Sequence, residues 1–346
     1  MSAKPVSIII PSWKGRALLQ QHLPSVVAAT EHYRQKTGSS AEIIVVEDGG
    51  DDDTPEWLNQ SYGTQVILKR RSVQGGFGAA CNTGFEQARG PIVVLLNNDV
   101  TIATDALIHL TPHFDDHQLF AVTCRAMETD SEVVASGGRI GEFRKGFWRV
   151  YCNYDVSEPL RDQSSEYASL LASGGFSAFD LEKVRRLGGF NPLLRPFYWE
   201  DVELSLRAWH RGWKILYEPR AEVHHAASST IGARFTRRQT RRINERNRLI
   251  VHWIHVHDTG RLFRHFLGLM GFLISSFFKM DWAALRGFAD AISERPEIRL
   301  RRRQEKAERI LSDRIIEFTF RRLRQRPDVM VFSSREEFLR LRQRSS

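Results

Sequence analysis

Short apolar runs alternate with helical patterns through the first 219 residues of this chain, and this alternation limits the fold more than any other feature. Four runs have the length and composition of buried strands: VSIIIPS (6–12), EIIVVEDGG (42–50), TQVILKR (64–70) and PIVVLLNND (91–99). Two segments between them have apolar residues at helical spacing: RALLQQHLPSVVAATEHYRQ (16–35) and GFGAACNTGFEQAR (76–89). Repetition of strand, helix and strand predicts right-handed βαβ units, and therefore an α/β fold with a doubly wound, mostly parallel sheet.

The composition is that of a folded protein with an anionic partner. The 346 residues are 42% hydrophobic and 26% charged, which is enough to bury a full core. The net charge of +9 suggests binding to nucleic acid, phospholipid or a phosphorylated substrate. The three cysteines lie far apart in sequence, and nothing before Val6 has the pattern of a signal peptide. We therefore expect a reducing, cytoplasmic location.

The character of the chain changes after about residue 229, which predicts two regions, 1–230 and 231–346. The second opens with the basic segment RFTRRQTRRINERNRL (234–249), followed by FLGLMGFLISSFF (266–278), which has no charge. Thirteen residues are too few to span a bilayer, which takes about 20. The run is interpreted either as an amphipathic helix lying on the membrane surface or as a helix packed in the protein core or between subunits.

Polar residues follow successive predicted strands at the points where the strands end. Pro11 and Ser12 end the first, Glu47 and Asp48 the second, and Asn97-Asn98-Asp99 the fourth. Each group alone is compatible with a turn, because Asn and Asp tolerate bent backbones. Together at the carboxyl edge of a parallel sheet they predict a binding crevice. The glycines near residue 76 form neither a dinucleotide fingerprint nor a P-loop, so a nucleotide would be held differently.

The order of these motifs resembles the family 2 glycosyltransferases of GT-A fold, which are inverting enzymes that use nucleotide-sugars. Five segments in order carry the resemblance: SIIIPSWKGRALLQQHLPSV (7–26), VVEDGGDDDT (45–54), GGFGAACNTGFEQARG (75–90), VVLLNNDV (93–100) and GGFNPLLRPFYWEDVELSLRAWHRGWKILYEPRAEVHH (188–225). The Asn-Asn-Asp form is similar to that of rhamnosyl and related transferases, which implies a UDP- or dTDP-linked sugar. Nine residues are implied to bind the nucleotide-sugar: Pro11, Ser12, Glu47, Asp48, Arg71, Gly76, Phe77, Asn82 and Asn98.

The resemblance also implies a divalent cation, Mg²⁺ or Mn²⁺, that neutralises the leaving diphosphate. Asp99 is the first predicted ligand and His224 the second. His225 remains an alternative, because neighbouring residues of a strand point to opposite faces. The resemblance favours His224, because the family's spacing from this His to a following Ser would match Ser228 or Ser229.

Inversion requires one carboxylate that removes a proton from the acceptor hydroxyl. By resemblance Asp201 is this base and Glu200 supports it. The alternative is that both carboxylates only stabilise the start of the helix that follows them. Two residues depart from the family pattern: Glu47 stands where Asp is usual, and Asn191 replaces a common Asp.

The predicted partners are a nucleoside-diphosphate-sugar and a glycan or polyprenyl-diphosphate-linked acceptor, with an anionic membrane surface and a homo-oligomer as further possibilities. The alternative function is a catalytically silent nucleotide-sugar-binding or scaffold protein. Nucleic acid is not an expected partner, because the Arg-rich helices lack a reading motif. The location predicted from these partners is the cytoplasm, with peripheral binding to the inner face of the membrane.

Overall fold

A computed structural model of the protein describes residues 3–129, 131, 133–156, 166–225 and 234–345. The first half of its main sheet contains four parallel strands in the order β3-β2-β1-β4. These are β1 (Val6–Ser12), β2 (Ala41–Asp48), β3 (Val66–Arg71) and β4 (Ile92–Leu96). The helices between them are α1 (Arg16–Thr37), α2 (Thr54–Tyr62) and α3 (Phe77–Gln87). The βαβ units predicted from the alternation are confirmed.

The tight packing of α3 on the sheet explains one glycine in its sequence. A Cβ on Gly84 would lie 2.4 Å from Cγ2 of Ile9, in the centre of β1. The helix therefore approaches the sheet more closely than any larger residue would allow. This close approach fixes the N-terminus of α3 at the carboxyl edge of the strands.

The second half of the main sheet is mixed and continues in the order β4-β10-β6-β11-β5. Its strands are β5 (Val100–Ile102), β6 (Leu119–Glu128), β10 (Phe176–Asp180) and β11 (Lys214–His225), with β7 (Val134–Ser136) paired to β6. Strand β10 runs antiparallel to both of its neighbours, whereas β11 is parallel to β6. The helices of this half are α4 (Ala106–Leu110), α5 (Leu181–Leu187) and α6 (Glu200–His210). The predicted α/β class is confirmed, and the antiparallel strands are an addition that the sequence did not indicate.

The C-terminal region is mainly helical. Its helices are α7 (Arg237–His255), α8 (Thr259–Phe278), α9 (Trp282–Ser293), α10 (Arg295–Glu308), α11 (Asp313–Arg324) and α12 (Arg335–Ser345). One strand of this region, β12 (Val329–Phe332), joins β8 (Gly138–Arg144) and β9 (Phe147–Val156) in a small antiparallel sheet. None of the helices that the structure describes is long and apolar enough to cross a membrane.

The two predicted regions share one hydrophobic core. Phe120 and Phe179 belong to the same buried cluster as Ile250 and Phe320 of the C-terminal helices. The predicted boundary at residue 230 lies outside the described residues. Whatever its exact position, the C-terminal helices pack on the sheet domain as an integral part of the molecule.

Buried hydrogen bonds between histidine and carboxylate side chains fasten α6 to the C-terminal helices. His255 of α7 lies 3.1 Å from Glu203 of α6, and His210 at the end of α6 lies 3.2 Å from Asp313 of α11. All four side chains are buried. Helix α6 begins at Glu200, so these contacts hold in place the helix that carries the predicted catalytic carboxylates.

Candidate active site

A pocket of about 830 Å³ opens at the carboxyl ends of β1, β2 and β4. This is the edge where open α/β sheets bind ligands. Its wall combines several of the predicted site residues with aromatic and basic side chains. The lining residues are Pro11, Ser12, Trp13, Asp48, Gln74, Gly75, Gly76, Phe77, Ala80, Asn97, Asn98, Asp99, Ser173, Gly174, Gly175, Arg195, Pro196, Phe197, Tyr198, Glu200, Asp201, His225, Arg234 and Phe235.

The Asn97-Asn98-Asp99 segment forms a turn that also faces this pocket. The backbone N–H of Val100 donates to the carbonyl of Asn97 over 3.2 Å, and the N–H of Asn97 donates to Gly175 over 2.9 Å. The turn carries Asn98 and Asp99 into the pocket wall. A turn and a binding function are thus compatible in this segment.

Asp99 meets His225 in the pocket. The Nε2 atom of His225 lies 3.4 Å from Oδ1 of Asp99, and that oxygen is buried and has no hydrogen-bond partner. His224 is the preceding residue of β11, pairs with Thr101 of β5, and does not line the pocket. The geometry therefore favours His225 over His224 as the second ligand. The predicted partners Ser228 and Ser229 lie outside the described residues.

The chemistry of this pair fits a divalent cation. A carboxylate oxygen without a partner and a neighbouring imidazole nitrogen are both good ligands. Within the described ranges, no three His, Cys, Asp or Glu side chains come together as a metal site.

Glu200 and Asp201 lie in the first turn of α6 and line the same pocket. Burial raises the pKa of Glu200 to about 8, with the charge of Asp201 adding to the effect. Burial also raises the pKa of Asp201, but the backbone N–H of Val202, which donates to Oδ1 over 2.7 Å, and the charge of Arg139 oppose this rise. Two adjacent buried carboxylates do not ionise together easily, and the raised pKa of Glu200, about 8, favours this residue as the one that keeps a proton at neutral pH.

Two asparagines of α7 hold the loop that leads to these carboxylates. The side-chain amide of the buried Asn247 donates to the carbonyls of Leu194, Phe197 and Tyr198 over 2.8 to 3.0 Å. The indole N–H of Trp199 donates to Asn244 over 3.0 Å. Neither asparagine was predicted from the sequence, since both lie in a basic segment about 45 residues after the loop and no local pattern connects this segment to the loop.

Asp48 organises the glycine loop that precedes α3. Its carboxylate accepts hydrogen bonds from the backbone N–H groups of Gly75 and Gly76, and its Oδ1 atom lies 2.8 Å from Nε of Arg71. Gly76 has a φ of +87°, and a Cβ there would lie 2.6 Å from the carbonyl oxygen of Pro196. Both the backbone conformation and this contact require glycine. The glycine loop therefore contacts both Asp48 at the end of β2 and Pro196 in the segment that precedes Glu200.

Three of the predicted nucleotide-sugar residues lie behind the pocket wall. Arg71 points to Asp48 and Thr83, and both ends of the Asn82 amide bond the backbone of Phe190. Glu47 accepts from the N–H of Lys14 over 3.0 Å, whereas its Oε2 atom is buried without a partner and burial raises its pKa. These side chains position the wall, and Glu47 alone of the three keeps an unused acceptor atom.

Aromatic and basic residues complete the wall and were absent from the predicted site. The guanidinium of Arg234 lies 4.2 Å from the ring centre of Trp13 and 5.7 Å from that of Phe235. Phe197 packs on Phe235, with ring centres 4.8 Å apart. Trp13 directly follows the predicted polar end of β1, so its position was available from the sequence, whereas the approach of Arg234 and Phe235 depends on the tertiary fold.

Solved structures define the class of protein to which this architecture belongs. The structure of GalNAc-T7 with UDP, GalNAc and Mn²⁺ matches with a TM-score of 0.56 and 19% identity, over 73% of this chain and 48% of that one. The mannosyltransferase PcManGT from Pyrobaculum calidifontis, in complex with GDP-Man and Mn²⁺, matches with a TM-score of 0.52 and 18% identity, over 93% and 86%. The fold is therefore that of the GT-A glycosyltransferases, as predicted.

The sequence comparisons then identify the family. The model of the family described as glycosyltransferase like family 2 matches residues 3–245, and the chain belongs to this family. One relative is the undecaprenyl-phosphate 4-deoxy-4-formamido-L-arabinose transferase of Pseudomonas savastanoi, which is 37% identical over 103 residues, 28% of this chain and 28% of that protein. The chain aligns with only 25% to 32% of the length of the first curated relatives that it matches.

Proposed function

We propose that the protein is a metal-dependent, inverting glycosyltransferase that moves a hexosyl or deoxyhexosyl group from a UDP- or dTDP-linked donor to an acceptor hydroxyl. The observation that carries this proposal is the placement of two kinds of acidic group in one pocket. Asp99 with His225 stands on one side, and the buried pair Glu200 and Asp201 on the other. Sugar transfer needs both a site for the diphosphate and a base for the acceptor.

In the proposed reaction Asp201 is the base. Its carboxylate takes the proton of the acceptor hydroxyl while that oxygen forms a bond to the anomeric carbon. The bond from this carbon to the diphosphate oxygen breaks, and its electron pair leaves with the nucleoside diphosphate. Glu200 stays protonated, because burial raises its pKa to about 8, and thereby leaves the negative charge on Asp201.

The diphosphate side of the pocket is formed by residues of the sheet edge. Asp99 and His225 would hold a divalent cation, Mg²⁺ or Mn²⁺, which supplies charge neutralisation for the leaving diphosphate. Asn98 and Ser12 line the pocket beside Asp99 and provide an amide and a hydroxyl for polar contacts. Two structural neighbours were solved with Mn²⁺ and a nucleotide or nucleotide-sugar, which supports a cation in this chain.

The proposed acceptor is a hydroxyl of a glycan, free or linked to a polyprenyl diphosphate. The relative from Pseudomonas is named for transfer to undecaprenyl phosphate, which supports a lipid-linked acceptor and a role in cell-envelope polysaccharide synthesis. A lipid-linked acceptor would place the enzyme at the cytoplasmic face of the membrane as a peripheral protein.

Mass spectrometry with a panel of nucleotide-sugars tests this function. The full chain is incubated with UDP-, dTDP- and GDP-linked sugars and Mn²⁺ or Mg²⁺, with a chelator as control. We expect hydrolysis or transfer of a UDP- or dTDP-sugar, and loss of this activity with the chelator. Binding of a donor without hydrolysis or transfer to any glycan acceptor would favour the alternative, a catalytically silent nucleotide-sugar-binding protein.

A further inference from the structure

Helix α8 presents an apolar face to the surface of the molecule. Its buried residues are the polar side chains Arg261, His265 and Ser276. Six large apolar side chains of this helix are more than half exposed: Phe263, Phe266, Leu267, Ile274, Phe277 and Phe278. Most of them are three, four or seven residues apart, which places them along one stripe of the helix or next to it. A helix on a globular protein normally turns its apolar stripe inward. In α8 only Leu269 and Phe272, both half-buried, pack against the core, and the larger part of its apolar surface faces outward. This outward orientation indicates that the exposed face has a partner.

Aromatic residues extend this face at the C-terminal end of the helix. Phe278 is 80% exposed, and Met280 and Trp282 are also exposed. The ring of Phe277 lies 5.9 Å from that of Phe278 and 6.4 Å from that of Trp282, both edge to face. We name the exposed apolar residues from Phe263 to Trp282 the α8 face. Its aromatic end is suited to the interface between lipid head groups and acyl chains.

The charge around the α8 face is positive. Helix α8 contains no acidic residue, and the exposed side chains of Arg264 and Lys279 form no ion pair with any described residue. The acidic residues that flank α8 in sequence are paired with arginines, Asp258 with Arg309 and Asp281 with Arg241, and Glu317 pairs with Arg261 of the helix itself. An apolar partner of this face would therefore meet cations at its border.

Helix α7 adds two further cations at the aromatic end. Arg241 lies 3.2 Å from Asp281, which stands between Phe278 and Trp282. Arg237 and Arg238, both exposed, precede Arg241 by one helical turn. They therefore lie close to the aromatic end of the α8 face.

We propose that the α8 face binds an anionic lipid bilayer, with the aromatic end inserted to shallow depth and the arginines of α7 at the head groups. A bilayer offers an apolar layer beneath a negative surface, which matches the apolar face and its basic border. A second copy of the chain fits this face less well, because a two-fold interface pairs a surface with itself and would bring the basic borders of the two copies together. No described helix spans the membrane, so this attachment is peripheral.

This attachment would orient the pocket toward the membrane. Arg234 and Phe235 line the pocket and directly precede Thr236, the N-cap residue of α7. The same helix approaches the aromatic end of the α8 face five residues after Thr236, through Arg241, which pairs with Asp281. A lipid-linked acceptor held in the bilayer would therefore be presented near the pocket. The lipid binding itself is independent of the proposed transfer reaction and can be measured without a donor.

Vesicle flotation of the full chain tests the proposal. We expect binding to vesicles of phosphatidylcholine mixed with phosphatidylglycerol at low salt, little binding to phosphatidylcholine alone, and release at high salt. The double variant Phe277→Asp/Phe278→Asp should lose at least about tenfold in partitioning, because two apolar anchors are replaced by charges repelled by the surface. Arg237→Gln/Arg238→Gln should weaken partitioning by roughly 30-fold at low salt and much less at high salt.

A matched control separates these effects from a general loss of structure. Ile310 is an exposed apolar residue that follows Arg309, and Arg309 pairs with Asp258 at the start of α8, whereas Phe278 is at the other end of this helix. Ile310→Asp should bind vesicles like the unmodified chain, and all variants should retain its circular dichroism spectrum and thermal midpoint. Failure of the unmodified chain to bind anionic vesicles at low salt would overturn the proposal. A dimer in solution that Phe277→Asp/Phe278→Asp converts to a monomer, without any vesicle binding, would assign the face to a second copy instead.

Discussion

The carboxylates of the pocket differ in whether the protein itself satisfies them. Asp48 accepts hydrogen bonds from Gly75, Gly76 and Arg71, so its negative charge is fully used within the chain. Asp99 and Glu200 each keep a buried oxygen atom without a hydrogen-bond partner. Burying such an atom costs free energy unless a ligand or a proton compensates it. We conclude that Asp48 builds the pocket, whereas the other two are available to bind or react.

Removal of the ionised member of the carboxylate pair should change the activity most. Asp201→Asn should lower kcat by about 10²–10⁴-fold, because the general base is lost, while donor binding measured by calorimetry stays close to that of the unmodified enzyme. Glu200→Gln is the matched variant. It should retain most activity at neutral pH, since Glu200 is already protonated there. The opposite ranking of the two variants would make Glu200 the base.

The second effect distinguishes the two histidines of β11. His225→Ala and Asp99→Ala should each weaken Mn²⁺ and donor binding by about 10- to 100-fold, because each removes a side chain that we propose as a ligand of the cation. His224→Ala, at the neighbouring position of the strand, should change binding little. Titration calorimetry of Mn²⁺ in the presence of UDP measures both. If all three variants bind Mn²⁺ as tightly as the unmodified chain, or if a chelator leaves the affinity for the donor unchanged, a metal site at Asp99 is excluded.

The third effect concerns the carboxylate that the chain satisfies internally. Asp48→Asn should lower the free energy of unfolding by about 2 kcal/mol, because charge-assisted hydrogen bonds to the glycine loop and Arg71 are weakened. Urea denaturation measures this change. Glu56→Gln, at an exposed carboxylate 4.0 Å from Arg70, is the control and should leave the unfolding midpoint unchanged. If Asp48→Asn keeps full stability and loses only donor affinity, the carboxylate acts on the ligand and not on the loop.

A weaker effect is a pH dependence of stability caused by the buried histidines. Burial lowers the pKa of His210, His252 and His265, and lowers the pKa of His257 to about 3. The unfolded chain then binds more protons than the folded one below pH 6.5. Stability is therefore fully present above this pH and falls as the pH drops below it, by at most about 1.4 kcal/mol per histidine and pH unit.

Urea denaturation between pH 8 and pH 5 measures this dependence. His257→Asn should reduce the slope below pH 6.5, because it removes a buried group whose pKa is lowered to about 3. The substitution breaks no hydrogen bond, since neither ring nitrogen of His257 has a partner. An unchanged slope would assign the dependence to the other three histidines.

The parallel half of the sheet and the order of the site motifs follow from the amino-acid sequence alone. The strands β1 and β4 are continuous apolar runs, and buried strands in a parallel sheet need this composition on both faces. The strand pattern therefore suffices to place the polar residues at the strand ends along one edge. The two carboxylates of α6 were instead assigned by resemblance to the family motif, and only the helix pattern that follows Glu200 is a local sequence signal.

Which side chains reach the pocket, and which support it, depends on tertiary packing. Strand alternation left His224 and His225 equivalent in sequence, and the antiparallel pairing of β11 with β5 set the register that brings His225 to Asp99. Asn247 reaches the loop before Glu200 because α7 packs across it, a contact about 50 residues apart in the chain. The outward orientation of the α8 face has the same cause. An amphipathic pattern fixes which residues share a face, and packing against the rest of the protein decides whether that face is buried.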